Sequence, residues 1–206
     1  MKIICIGRNY AEHAKELNNA VPEDPIVFLK PPSALLINNK PLYYPEFTQD
    51  IHYELEVVLK IGKNGRYVQP EFASEYYNQV SLGIDFTARD LQAKCKKNGH
   101  PWEIAKGFDG SAALGPFIAL DKVNPEGIQF QLHKNGAVVQ DGNTRDMIFS
   151  FNDIIVYVSR FFKLQMGDLI FTGTPAGVGP VAIGDKLEGS ILTNTGWQSL
   201  LECDIK

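Results

Sequence analysis

From Ile51 to Ile61 the chain reads IHYELEVVLKI, and no other segment constrains the fold as strongly. Tyr53, Leu55, Val57, Leu59 and Ile61 recur with a period of two, which a β-strand turns into one continuous apolar face. A helix would scatter these residues around its circumference, so the spacing predicts a strand over 51–61 anchored on a core. The same period puts Glu54 and Glu56 together on the other side, about 7 Å apart from two strand rises.

Most of the remaining chain also reads as strand. Residues 26–30 (IVFLK) stop at Pro31-Pro32, and 128–133 and 137–141 flank Asn135-Gly136, a hairpin signal. After Gly167 the apolar runs DLIFTGTP, VAIGDKLEGSI and SLLECDIK are short and split by glycines. Three segments predict helices. Residues 10–18 follow Asn9 as an N-cap with Glu12 three positions on, and 88–97 follow Thr87 with Asp90 at the capping-box offset, ending at Asn98-Gly99. Residues 151–163 follow Ser150 and carry one apolar stripe of Phe151, Ile154, Ile155, Val158, Phe161 and Phe162. Strands without regular βαβα alternation, plus three peripheral helices, predict an α+β or rolled β-rich architecture.

With 206 residues, 44% of them apolar and 21% charged, the chain fits one globular domain, 1–206, with no repeat or linker-like run. Its net charge of −4 and the absence of a basic stripe argue against nucleic acid and anionic membranes as partners. Cys5, Cys95 and Cys203 form no CxxC pair and read as small buried hydrophobes in a reducing compartment. The opening apolar run ends at Gly7, too short for a signal-peptide core, and no window is long enough to span a bilayer, so a cytoplasmic location is expected.

Several groups of residues can carry chemistry. An isolated Glu-x-Glu is ordinarily a solvated face, but Glu54 and Glu56 are like charges with no intervening cation on a well-anchored strand, and carboxylates suit hard divalent ions. Asp85 closes the apolar run VSLGIDF, where it is either a turn residue or a third oxygen ligand. His13 and Glu16 share a helix face at i, i+3, as a surface pair or as a base oriented by a carboxylate. Lys106 lies between an apolar stretch and a glycine, with Arg89 and Gln92 on the preceding helix. TGTPAGVGP (172–180) lacks the GK[ST] of a P-loop and reads as a tight turn whose backbone N–H groups can cradle an anion. The histidines at 52, 100 and 133 have no zinc-site spacing.

In this order, GRNYAEHAKEL (7–17), FLKPPSALL (28–36), HYELEVVL (52–59), GIDFTARDLQ (83–92), PWEIAKGFDGSAALGPF (101–117), GNTRDMIFS (142–150), GDLIFTGTPAGVGPV (167–181) and GDKLEGSI (184–191) resemble the fumarylacetoacetate hydrolase family, on its short acylpyruvate hydrolase branch. The resemblance runs nearly end to end. It implies the family's mixed β-roll with a few peripheral helices, a homodimer, and Mg²⁺ or Mn²⁺ held by Glu54, Glu56 and Asp85. It makes His13 and Glu16 the water-activating pair and Lys106, Arg89, Gln92 and Thr174 contacts to a small 2-keto acid. The implied reaction is C–C cleavage of an acylpyruvate to pyruvate and a carboxylic acid through a metal-stabilised enolate. Oxaloacetate decarboxylation or tautomerisation, or a 2-hydroxymuconate-type isomerisation, uses the same site; a non-catalytic cation-binding β-module and a β-roll metal oxygenase using His ligands are the remaining alternatives. His100 stands where the family pattern leads one to expect an apolar residue before Pro101-Trp102, which bears on the lid over the site.

Overall fold

The computed structural model describes residues 1–16, 21–124 and 126–206, and the side chains of 13–15 lie outside the described residues. In chain order the elements are β1 (Ile3–Gly7), α1 (Ala11–Glu16), β2 (Ile26–Lys30), β3 (Leu35–Ile37), β4 (Ile51–Tyr53), β5 (Leu55–Ile61), β6 (Tyr77–Asp85) and β7 (Thr87–Ala88). They continue as α2 (Arg89–Asn98), α3 (Glu103–Lys106), β8 (Ala112–Leu114), β9 (Ile118–Ala119), β10 (Gln129–Lys134), β11 (Ala137–Asn143) and α4 (Phe151–Phe161). The last strands are β12 (Leu169–Phe171), β13 (Gly179–Pro180), β14 (Lys186–Thr193) and β15 (Gly196–Asp204).

The largest sheet runs β2-β1-β12-β5-β6-β8-β3, with β9 also pairing with β6. Its β1–β12 and β3–β8 pairs are parallel and its other pairs antiparallel, so the sheet is mixed. An antiparallel sheet β11-β10-β14-β15 packs on it, and β13-β4-β7 forms a third. Gly189 of β14 lies where the two larger sheets pack together. A Cβ there would lie 3.2 Å from Leu55 and 3.4 Å from Leu82, so a side chain would push the layers apart.

The strand expected over 51–61 divides at Glu54. Ile51–Tyr53 joins the small sheet and Leu55–Ile61 the large one, because the Glu54 carbonyl accepts from Asp85 N (2.8 Å) and the chain crosses between sheets there. The period of two survives the break. Leu55, Val57 and Leu59 enter the main core with Ile4, Leu82, Phe130, Ile154 and Ile191. Val58, on the opposite side, packs with Ile3, Cys5 and Phe171 in a second cluster. The strand is therefore covered on both faces, and Glu54 and Glu56 are buried.

The hairpin forms as expected, with Asn135 (φ 52°) and Gly136 (φ 83°) both left-handed between β10 and β11. Helix α4 starts with the Ser150–Asp153 capping box and buries Phe151, Ile154, Ile155 and Val158. Phe161 departs from the expected stripe. It is 57% exposed at the last turn, where it packs on Tyr157 instead of the core.

The other two expected caps are corrected. Asn9 does not cap α1: its amide donates to Phe149 O and Thr172 O, and its carbonyl oxygen accepts from Phe149 N. Thr87 does not cap α2: Ala88 occupies that position and the Thr87 hydroxyl accepts from the Lys106 ammonium at 2.6 Å. A buried cation is a stronger partner than a neutral backbone N–H, so the charged bond displaces the cap. Helix α2 does stop at Gly99, left-handed at φ 66°. Helix α1 is described to Glu16, and the rest of the expected 10–18 helix lies outside the described residues. All three cysteines are free and buried.

Candidate functional site

Strand β5 carries Glu56 and the β4–β5 junction carries Glu54; antiparallel β6 delivers Asp85 at its end, opposite them. One carboxylate oxygen from each lies within 4.8 Å of the others, and all three residues are buried. Like charges this close in a dry site repel, so cations must be interleaved. Lys106 supplies one, from the last position of α3. Its Nζ reaches Glu54 Oε2 (2.8 Å), Asp85 Oδ2 (2.6 Å) and Thr87 Oγ1. Burial alone would depress the Lys106 ammonium, but Asp85 and Glu54 override it and push its pKa up to about 12. Arg89 pairs with Glu54 Oε1 (2.6 Å) and donates to Gln92 Oε1.

Beneath this layer lies Lys30, fully buried at the end of β2, 2.7 Å from Asp85 Oδ1. Its protons have other acceptors: the carbonyls of Lys106 and Ser111, the Ser111 hydroxyl and, at 3.4 Å, Phe86 O. Three protons cannot serve five oxygens, so Asp85 Oδ1 gains an ion pair but no hydrogen bond. Among the described residues, Glu56 has no cation in direct contact. It accepts one bond, from Gly173 N (2.7 Å), and its pKa is raised well above 4.5 by burial and then by Asp85 and Glu54. Gly173 holds φ 103° with Asn9 packed against it, a conformation that a side chain would strain. An acid cluster with one carboxylate short of positive charge fits a hard divalent cation.

The pocket above is lined by these residues together with Arg8, Phe28, Lys96, Trp102 and Thr174. Seven of the sequence-derived residues, Glu54, Glu56, Asp85, Lys106, Arg89, Gln92 and Thr174, thus meet in one place. Glu16 does not line it. Its exposed carboxylate accepts from Gly177 N at 3.1 Å, which ties α1 to the loop carrying Thr174. The His13 side chain lies outside the described residues. His100 is exposed and absent from the pocket wall, and Trp102 forms part of that wall instead.

The sequence reading missed Lys30, Arg8, Lys96 and Gln140. Lys96 was within reach, because Arg89, Gln92 and Lys96 fall on one helix face at i, i+3, i+7. Gln140 carries no such local signal. From β11 its Oε1 accepts from Leu55 N (2.9 Å) and its Nε2 donates to Thr174 Oγ1 (2.8 Å) and Pro175 O. That fixes the Thr174 oxygen as an acceptor and leaves its proton for the pocket. Gln140→Leu is expected to destabilise the protein by about 1–3 kcal/mol by leaving Leu55 N unsatisfied. Urea denaturation measures this, and an unchanged midpoint would show that the Gln140 bonds are dispensable.

Residues 2–201 match the sequence profile described as fumarylacetoacetate (FAA) hydrolase C-terminal. The chain belongs to the fumarylacetoacetate hydrolase family. Among its fumarylacetoacetate hydrolase relatives, the mitochondrial oxaloacetate tautomerase FAHD1 of Homo sapiens is 43% identical over 92% of this chain and 86% of its own. The crystal structure of fumarylpyruvate hydrolase from Pseudomonas aeruginosa, in complex with Mn²⁺ and pyruvate, is 38% identical and covers all of this chain and 89% of its own at a TM-score of 0.91. The 5-carboxymethyl-2-hydroxymuconate delta-isomerase from Mycobacterium smegmatis is 34% identical, covering 99% and 78% of the two chains at 0.85. The fold is therefore the family's mixed β-roll. No helix among the described residues is long and apolar enough to cross a membrane.

Proposed function

We propose that this member of the family is a metal-dependent hydrolase that cleaves the C–C bond of acylpyruvates, yielding pyruvate and a carboxylic acid. The observation that carries the reading is the convergence of three buried carboxylates, two of them paired with a lysine that stays protonated. Glu54, Glu56 and Asp85 would hold Mg²⁺ or Mn²⁺, which when bound supplies a Lewis acid to the carboxylate and keto oxygens of a 2-keto acid. Lys106 is a fixed positive charge beside the substrate's anionic head and accepts no proton at neutral pH. Thr174 donates its free hydroxyl proton to a substrate oxygen, and Arg89 and Gln92, which line the same pocket, contact the substrate. His13, oriented by Glu16, takes a proton from water, and the water oxygen bonds to the distal carbonyl carbon. The C–C bond then breaks, and its electron pair leaves with the three-carbon fragment as pyruvate enolate, which is protonated to pyruvate. The tie between Glu16 and Gly177, three residues beyond Thr174, supports placing this pair at the pocket.

The 43% identity to an oxaloacetate tautomerase favours a second reading, keto–enol interconversion or decarboxylation of oxaloacetate in the same pocket. Neither reaction needs an attacking water. Wild type and His13→Ala, each loaded with Mn²⁺ or stripped by EDTA, are to be assayed on acetylpyruvate, fumarylpyruvate and oxaloacetate. The variant is expected to lose a larger share of hydrolysis than of oxaloacetate turnover. Turnover that survives EDTA would remove the metal from the mechanism, and equal losses would remove the water-activating role of His13. Residues 1–206 are read as one catalytic domain, a cytoplasmic homodimer acting on free keto acids and not on nucleic acid or membranes. The family profile over 2–201 supports the single domain, and light scattering at twice the chain mass would support the dimer.

A further inference from the structure

The cations of the pocket fall into two sets. Lys30, Lys106 and Arg89 are each paired with Asp85 or Glu54, so three cations stand against the three carboxylates Glu54, Glu56 and Asp85. Arg8 and Lys96 line the same pocket, yet neither makes a salt bridge or hydrogen bond among the described residues. Both are held in place. Arg8 sits at φ 58°, left-handed for a non-glycine residue, and Asn9 beside it is locked by three hydrogen bonds to Phe149 and Thr172. Lys96 projects from the pocket face of α2, and its ammonium lies 5.5 Å from the centre of the Trp102 ring. Partial burial, then Arg8 and Arg89, depress the Lys96 pKa to about 8. Lys96 is exposed and Arg8 half-buried, so both cations stand at the open side of the pocket, where an anion entering it meets them.

We infer that Arg8 and Lys96 form a second anion subsite, which selects 2-keto acids carrying another carboxylate remote from the keto-acid head. The inference rests on the head binding at Glu54, Glu56 and Asp85 and names what the far end of the substrate meets. The inner charges already balance, so the head and its ion leave the outer pair unsatisfied. A distal carboxylate supplies the missing negative charge and accepts charge-assisted hydrogen bonds from both side chains. Arg8 and Lys96 are thereby specificity-determining residues, distinct from the groups that surround the reacting carbonyls.

Calorimetry on the Mn²⁺-loaded protein tests this with matched probes: 2-oxoglutarate against 2-oxopentanoate, which carries a methyl group in place of the terminal carboxylate, and oxalate, which presents the head alone. Wild type is expected to favour the diacid by about tenfold or more, as a charge-assisted contact implies. Lys96→Gln and Arg8→Gln are each expected to lose most of that preference while binding oxalate within about twofold of wild type, since only the remote contact is removed. Melting curves of both variants check that they are folded. A wild type without diacid preference, or variants that keep it, would overturn the subsite while oxalate binding leaves the head site standing. Oxalate that fails to bind, or binds equally after EDTA, would instead overturn the reading of the head site on which the inference rests.

Discussion

Glu56→Gln is expected to stabilise the metal-free protein and Asp85→Asn to destabilise it, although both variants lose the response to Mn²⁺. The opposite signs follow from what each carboxylate touches. Asp85 lies between Lys30 and Lys106, both almost fully buried, and its neutralisation leaves two ammonium groups short of a partner. Breaking a buried pair in this way costs about 3–5 kcal/mol. Among the described residues Glu56 touches no cation and accepts only from Gly173 N, so its charge sits in a buried site beside two other carboxylates. A neutral isostere relieves that repulsion and gives up function for stability. Each variant removes one of three candidate ligands, and Mn²⁺ affinity is expected to fall by more than the roughly 10–100-fold that outer-shell partners cost.

Urea denaturation in EDTA and calorimetric Mn²⁺ titration read the two effects separately. Equal destabilisation by both substitutions would show that Glu56 has a compensating cation, and unchanged affinity would remove the residue from the metal site. The pH dependence carries the same signature. In the unfolded chain Glu56 ionises near 4.5, while burial, then Asp85 and Glu54, keep it protonated to higher pH in the fold. Its favourable contribution is fully present below 4.5 and is lost as pH rises through the raised folded value. The metal-free wild type therefore loses stability relative to Glu56→Gln across that window, and parallel stability profiles would contradict the raised value.

Lys106→Met is expected to strengthen Mn²⁺ binding while weakening oxalate and cutting kcat/KM by about 10²–10³. The ammonium occupies Glu54 Oε2 and Asp85 Oδ2, so its removal frees two oxygens for a cation and raises the negative potential there. The same removal deletes the positive charge that faces an anionic head. Without metal, Glu54 keeps only Arg89 and Asp85 only Lys30, so stability falls; saturating Mn²⁺ restores part of it by mass action. Calorimetry with Mn²⁺ and then oxalate separates the roles. If both ligands bind more tightly, Lys106 does not contact the anion and only neutralises the acid cluster.

Local patterns in the sequence determined much of this molecule. The period of two from Tyr53 to Ile61 required a strand, Asn135-Gly136 supplied two left-handed positions for a hairpin, and Ser150 with Asp153 began α4. Motif order from residue 7 to residue 191 carried the family and, with it, Glu54, Glu56, Asp85, Lys106, Arg89, Gln92 and Thr174. Only the tertiary structure decided how these residues are partnered. Lys30 meets Asp85 although β2 and β6 are not neighbours in the large sheet, and Gln140 reaches Leu55 and Thr174 from a different sheet. Thr87 gives up a cap that local spacing favoured, and Phe161 turns outward although it continues an apolar stripe. Spacing along a chain reports the face on which a side chain emerges, not what the fold brings against that face. In a dry interior, charges pair with whichever opposite charge the topology delivers, and that pairing fixed the chemistry of the pocket.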